Sequence, residues 1–182
     1  MNLLEKQLKS ETLYKGKIVN LRRDEVLLPN GANAAREVIE HPGGVCVAAL
    51  TDSNELLFVR QFRYPYSQVL LEIPAGKRDY GDEDPLLCGM RELKEETGAV
   101  AQDYISLGTL YPSPGYCGEI IWMYAATGLT FGEAQPDEDE FLSCEKIPLE
   151  RAVEMVLAGE IPDAKTQAAV LKVKLLRDQG KL

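Results

Sequence analysis

One helix in the middle of the chain sets most of the limits on what the chain can fold into. Asp84-Pro85 opens it: the aspartate caps free N–H groups, and proline suits the first helical position, where its missing N–H has no partner to lose. Gly98 closes it, as the residue that turns left-handed without steric cost. At 100° per residue, Leu86, Met90, Leu93 and Thr97 fall within a narrow arc, the predicted core face. Glu92, Glu95 and Glu96 fall together on another side, where like charges at i, i+3 and i+4 cost a few tenths of a kcal/mol per pair. Arg91 can pair with Glu95, whereas Lys94 points elsewhere. Two readings stand for the glutamates. They are a solvated acidic face, or a cradle for hard divalent cations, since Mg²⁺ takes carboxylate oxygens and keeps waters that a phosphate can displace.

Strands surround this helix. Thr12–Tyr14, Lys17–Leu27 and Ala35–Glu40 cluster β-formers, with a hairpin turn at Pro29-Asn30-Gly31. This antiparallel unit over residues 1–42 is too small to bury a core alone, so it needs the rest of the chain or a partner subunit. After the break at His41-Pro42-Gly43-Gly44, Val45–Leu50 and Leu56–Phe62 read as a strand pair across Thr51–Asn54. Further strands are expected at Val69–Ile73, Tyr104–Tyr111, Ile120–Ala126 and Phe141–Ile147, and closing helices at Leu149–Ala158 and Ala164–Arg177. The pattern predicts an α+β fold, one central sheet between helices over residues 43–182 plus the β extension.

Composition narrows the partners. A net charge of −9 excludes a basic footprint for duplex nucleic acid and argues against attachment to anionic membranes. No apolar run approaches the roughly 20 residues that span a bilayer, and Met1–Ser10 has no signal-peptide core. Cys46, Cys88, Cys117 and Cys144 are scattered without a CxxC pair, and read as small buried residues of a reducing cytoplasm. His41 is the one histidine, which leaves no basis for a histidine-based triad or metal site. The acidity is concentrated: residues 82–96 carry a net −4 and residues 133–140 a net −5.

The string Arg91-Glu92-Leu93-Lys94-Glu95-Glu96-Thr97-Gly98-Ala99, with Glu83 eight positions before Arg91 and Gly76 upstream, resembles the Nudix box, G-x5-E-x7-R-E-U-x-E-E-x-G-U with U aliphatic. One departure is visible: Gly76 precedes Glu83 by seven positions instead of six, so the loop holds an extra residue or Asp82 replaces the glutamate. The resemblance implies an α/β/α sandwich with a mixed central sheet, and hydrolysis of a nucleoside diphosphate linked to another moiety. It implies Glu92, Glu95, Glu96 and the Ala75 carbonyl as ligands for Mg²⁺ or Mn²⁺, with Arg91 and Glu83 as the pair that orients the catalytic helix. Bound metal would lower the pKa of a water, and with no histidine base a carboxylate must take its proton.

Further features resemble the ADP-ribose pyrophosphatase branch: Leu71-Glu72-Ile73-Pro74-Ala75-Gly76 leading into the box, Ser113-Pro114-Gly115-Tyr116 with Glu119 after it, and the β-rich N-terminal unit. The branch implies a homodimer that exchanges this unit and a carboxylate base in the loop Asp137–Glu140, either Glu138 or Glu140. It implies Arg36 and Glu37 near the adenosine, Arg63 on a phosphate, and Pro114, Gly115 and Glu119 around the terminal ribose. Without it, Arg36-Glu37 is an ordinary cross-strand ion pair, Arg60 and Arg63 are surface charges, Ser113–Gly115 is a turn and the acidic loop is solvated. The expected reaction is conversion of ADP-ribose to AMP and ribose 5-phosphate in the cytoplasm. The rivals are another nucleoside diphosphate sugar such as GDP-mannose, or a Nudix-fold regulator that binds a nucleotide without cleaving it. Against the regulator stands the cluster itself, since a pure binder has no need for three repelling glutamates.

Overall fold

The computed structural model describes residues 2–79, 83–137 and 140–182. An antiparallel sheet of β1 (Lys6–Lys15), β2 (Asn20–Leu27) and β3 (Asn33–Glu40) forms the N-terminal unit. β4 (Gly44–Ala49) follows, then β5 (Glu55–Arg63), β6 (Gln68–Glu72) and the short β7 (Ala75–Lys77). Helix α1 spans Pro85–Thr97, and β8 (Ala99–Leu110), β9 (Ile121–Phe131) and β10 (Leu142–Pro148) come next. Helices α2 (Leu149–Leu157) and α3 (Ala164–Asp178) complete the chain.

The fold is α+β, with a mixed four-stranded sheet in the order β7-β4-β9-β8 at its centre. β4 runs parallel to β9 and antiparallel to β7. Side chains of a strand alternate faces, so Val47 and Ala49 of β4 meet Leu93 of α1, while Cys46 and Ala48 meet the core of α2 and α3 with Leu149, Ala152 and Val170. Burial on both faces explains why β4 reads as a continuous apolar run rather than an alternating one.

Two expectations fail here. β4 and β5 share only an isolated bridge at Leu50–Leu56, and β5 instead pairs with β10 and β6 in a separate antiparallel sheet. The central layer is therefore two sheets rather than one. The turn between β4 and β5 places Asn54 in the left-handed region (φ 62°), and the strands diverge beyond it. Among the cysteines, all free, Cys46 and Cys88 are buried as predicted, but Cys117 is half-buried in a loop and Cys144 is exposed on the edge strand β10.

Helix α1 is rotated from its predicted setting. Its buried residues are Cys88, Gly89, Glu92, Leu93, Glu96 and Thr97, whereas Leu86 is half-buried and Met90 is exposed. Gly89 causes the difference: a Cβ there would lie 3.0 Å from Val45 Cγ2 and 3.1 Å from Val47 Cγ2, so the helix comes closest to β4 at its smallest side chain. Turning Gly89 toward the sheet turns Glu92 and Glu96 inward with it.

The end of α1 depends on Gly98, whose φ of 69° is left-handed and whose N–H donates to Lys94 O. A Cβ there would sit 2.3 Å from Gly132 O. Gly98→Ala is expected to cost at least about 2 kcal/mol of unfolding free energy, read as a lower urea midpoint at unchanged slope.

Candidate functional site

The site is built where the chain from Glu72 to Gly76 runs beneath α1. Ile73 is fully buried, and Pro74 O accepts the N–H of Val47, so the segment is fixed to β4. Ala75 N–H donates to Glu96 Oε2 at 3.0 Å. At Gly76 a Cβ would fall 1.9 Å from Glu92 Cδ, so the Glu92 carboxyl occupies space that any other residue would fill. Glu92 and Glu96 are 7% and 2% exposed, which replaces the solvated acidic face by two buried carboxyls one turn apart. Burial pushes Glu92 up to about 7 despite the pull of Arg91, and Glu96 up to about 8 despite the Ala75 N–H.

Arg91 gathers the loop and the helix. Its Nη1 donates to Glu92 Oε1 at 2.9 Å and Glu95 Oε2 at 3.0 Å, and its Nη2 lies 3.5 Å from Glu83 Oε1. The buried Arg78 holds the same loop from beneath. It donates to Glu83 O and Pro42 O, and its guanidinium lies over the Trp122 ring at 4.9 Å. Of the two alternatives for the extra residue, Glu83 is in contact with Arg91, and Asp82 lies outside the described residues.

A cavity of about 620 Å³ opens beside this arrangement. Ala75, Gly76, Arg91, Glu92, Arg63, Glu119 and Glu140 line it, together with Asp137 from the second acidic segment. Glu140 also adds to the upward push on Glu92 and Glu96, so the acidic loop reaches the electrostatic field of the helix. Glu119 sits 3.5 Å from His41 Nδ1 at the rim.

Other expected residues lie elsewhere. Glu95 faces a separate groove with Met90, Lys94, Val100 and Tyr104, because it lies off the buried face of α1. Arg36 is on β3 and pairs with Glu5 at 2.6 Å, and Glu37 lies across from Arg23; neither lines the cavity within one chain. Pro114 and Gly115 are exposed in a turn stitched to β3 by Ile39 N–H to Tyr116 O and Gly118 N–H to Ile39 O. Glu138 lies outside the described residues. Arg63 reaches the cavity with its guanidinium already clasping Glu72, at 2.6 and 2.8 Å. The Arg63 hydrogen bonds and the Lys165 charge outweigh burial at Glu72 and hold it down to about 2.

Sequence reasoning missed Asp163 and Lys165 as parts of this wall and Glu72 as the buried carboxylate behind it. Asp163 carried one available signal: an aspartate just before a predicted helix is an N-cap, and its side chain does accept from Thr166 N–H. Nothing local links it to Glu72.

The donor chemistry at α1 fits a hard divalent cation. Two buried carboxyls and a nearby backbone carbonyl are oxygen donors, and among the described residues Glu96 receives one hydrogen bond and no ion pair. Arg91 already supplies positive charge to Glu92 and Glu95. Among the described residues no three Asp, Glu, Cys or His side chains converge to enclose an ion unaided, so a cation would need water or substrate oxygens as well.

Comparison with known proteins agrees in scope with this geometry. Residues 40–170 match the NUDIX domain, and residues 5–39 match the nucleoside diphosphate sugar hydrolase N-terminal domain. An ADP-ribose pyrophosphatase of Bacillus subtilis (strain 168) is 39% identical over 176 residues, covering 96% of this chain and 95% of the relative. A methanol dehydrogenase activator of Bacillus methanolicus is 41% identical over 173 residues, covering 94% and 93%. A crystal structure of an ADP compounds hydrolase superposes over 100% of both chains with a TM-score of 0.85 at 23% identity, which establishes the shared fold.

The raised carboxyls make the metal-free protein pH-sensitive in a defined direction. Glu92 and Glu96 bind protons more tightly folded than unfolded, where 4.5 is the ordinary value. Their contribution to stability is complete below about 4.5 and is lost as pH rises through about 7 and 8. In EDTA the melting temperature should therefore fall from about pH 6 to about pH 8.5. Glu96→Gln should melt higher than the parent at the alkaline end and show a flatter profile. An unchanged profile would show that Glu96 is not the source.

Proposed function

The chain belongs to the Nudix family, and on that premise we propose that it hydrolyses the diphosphate of ADP-ribose to AMP and ribose 5-phosphate with Mg²⁺. The observation that carries the reading is the pair Glu92 and Glu96, buried against Ala75-Gly76 with Arg63 on the wall of the adjoining cavity. Bound Mg²⁺ would neutralise charge on the diphosphate and acidify a water. Glu92 and Glu96, with the Ala75 carbonyl, would hold the metal, and Glu95, turned toward the neighbouring groove, would contribute only through the Arg91 Nη1 that it shares with Glu92. Arg91 and Glu83 would fix the helix against its loop, and Arg63 would receive a phosphate oxygen. Attack of water oxygen on phosphorus breaks the bridging P–O bond, and the leaving phosphate departs as an anion that needs no proton. The proton of the water passes to a carboxylate. Glu140 fits this role because it lines the cavity, and Glu138 belongs to the same loop. Glu119 fits a ribose contact at the rim.

The match over residues 5–39 supports a nucleoside diphosphate sugar, and the near full-length relative named an ADP-ribose pyrophosphatase supports ADP-ribose among these. A homodimer in the cytoplasm follows from the same reading. It is supported by Leu8, Leu13 and Tyr14 of β1, and Phe62, Tyr64 and Tyr66 beyond it, all exposed in one chain. A partner would also give Arg36, Glu37, Pro114 and Gly115 a second chain through which to meet substrate.

With Mg²⁺ and a panel of ADP-ribose, GDP-mannose, ADP-glucose and NADH, the protein should release AMP fastest from ADP-ribose. Preference for GDP-mannose would overturn the substrate, and no turnover of any member would overturn the enzyme. Glu96→Gln should lower kcat by at least about 100-fold at an unchanged circular dichroism spectrum. Light scattering should give twice the chain mass.

A further inference from the structure

The cavity wall beyond α1 carries a continuous chain of charged groups. Arg63 donates from Nε to Glu72 Oε1 at 2.6 Å and from Nη2 to Glu72 Oε2 at 2.8 Å, a two-pronged grip on one carboxylate. Lys165 donates to the same Oε2 and lies 3.0 Å from Asp163 Oδ1. Asp163 Oδ2 in turn accepts from Thr166 N–H at 3.0 Å and from its hydroxyl at 2.6 Å, and Thr166 Oγ1 accepts Ile73 N–H at 3.0 Å. The first turn of α3 is thus bonded both to Glu72 and to the backbone beside it.

The exposure of these groups is graded. Glu72 is 2% exposed, the Lys165 side chain 11%, and the Arg63 side chain 37%. Arg63 is the member most open to the cavity, which Lys165 and Asp163 also line. Its grip on Glu72 uses Nε and Nη2, and among the described residues Nη1 has no hydrogen bond. A guanidinium is rigid and planar, so fixing one edge fixes the direction of the other. A freely rotating arginine would have to be ordered by the substrate, at the expense of affinity. Lys165 does for Glu72 what Glu72 does for Arg63, fixing the carboxylate from its other side.

Resting on the pyrophosphatase reading, we infer that Glu72 and Lys165 are positioning residues: backed by Asp163 and Thr166, they hold the free edge of Arg63 toward the substrate's diphosphate. A network that merely fastened α3 to β6 would change stability and leave the affinity of the folded protein alone. The positioning role changes affinity, and does so more than the chemical step.

The test uses the full chain with Mg²⁺, ADP-ribose as substrate, and its α,β-methylene analogue as a non-hydrolysable inhibitor. Measurements are made below the melting transition of each variant. Lys165→Met and Glu72→Gln should each raise KM and the inhibitor Ki by about tenfold or more, with kcat changed by less than about threefold. Lys165→Arg, which keeps the charge and a donor, should return both to within about threefold of the parent. Folded Lys165→Met and Glu72→Gln with KM and Ki within about twofold of an active parent would overturn the positioning role alone. A parent that turns over no nucleoside diphosphate sugar would overturn the underlying reading and this inference with it.

Discussion

The approach of Gly76 to the Glu92 carboxyl is the contact from which the rest of the site follows. A side chain at position 76 would overlap that carboxyl, so the strand entering α1 and the acidic face of α1 interlock at one point. Gly89 makes the matching close approach on the helix side, against Val45 and Val47 of β4. Between these two contacts α1 has a single rotation open to it. That rotation sends Glu92 and Glu96 under the helix and leaves Met90 in solvent. The same five-residue segment carries Glu72 at its other end, so its backbone places the carboxylate pair and the Arg63 grip by one stretch of chain.

Such an arrangement is costly for the fold. Buried carboxyls raised to about 7 and about 8 resist ionisation near neutral pH, and a site built from them lowers the stability of the protein until positive charge arrives. Arg91 is only a partial remedy, since it reaches Glu92 and Glu95 but makes no ion pair with Glu96 among the described residues. Glu72 stands in the opposite condition. Equally buried, it is clasped by two cations and held at about 2, so it stays ionised wherever the enzyme could work. The short segment from Glu72 to Gly76 therefore touches buried glutamates of two kinds. Those short of positive charge suit a cation that comes and goes, and the one saturated with it suits a permanent scaffold.

Much of this was legible in the residues. The ends of α1 follow from Asp84, Pro85 and Gly98, each observed in its expected role. Closing helices at 149 and 164 also stand where their spacing put them. The rotation of α1 was not legible, because a hydrophobic stripe weighs leucine and methionine and gives glycine no weight, although Gly89 decides the contact. Nor was the pairing of β5, whose neighbour β10 is distant in sequence while β4 is adjacent to it. Local apolar runs identify strands but do not say which edge each one finds.

The cation wall was hidden for the same reason. Arg63 was visible as one of two arginines in Arg60-Gln61-Phe62-Arg63, and nothing in that run separates them. In the fold, Arg60 takes an exposed cross-strand pair with Glu145 at 2.5 Å, while Arg63 finds the buried Glu72. The strand register makes that choice. Val59 lies opposite Glu72 and Arg63 opposite Gln68, so the Arg63 side chain reaches diagonally along the sheet to the carboxylate. Lys165 arrives from a helix whose N-cap is its own ion-pair partner, Asp163. Each link is ordinary surface chemistry in sequence, and becomes specific only when α3 closes over β6 and removes the water that would otherwise screen it.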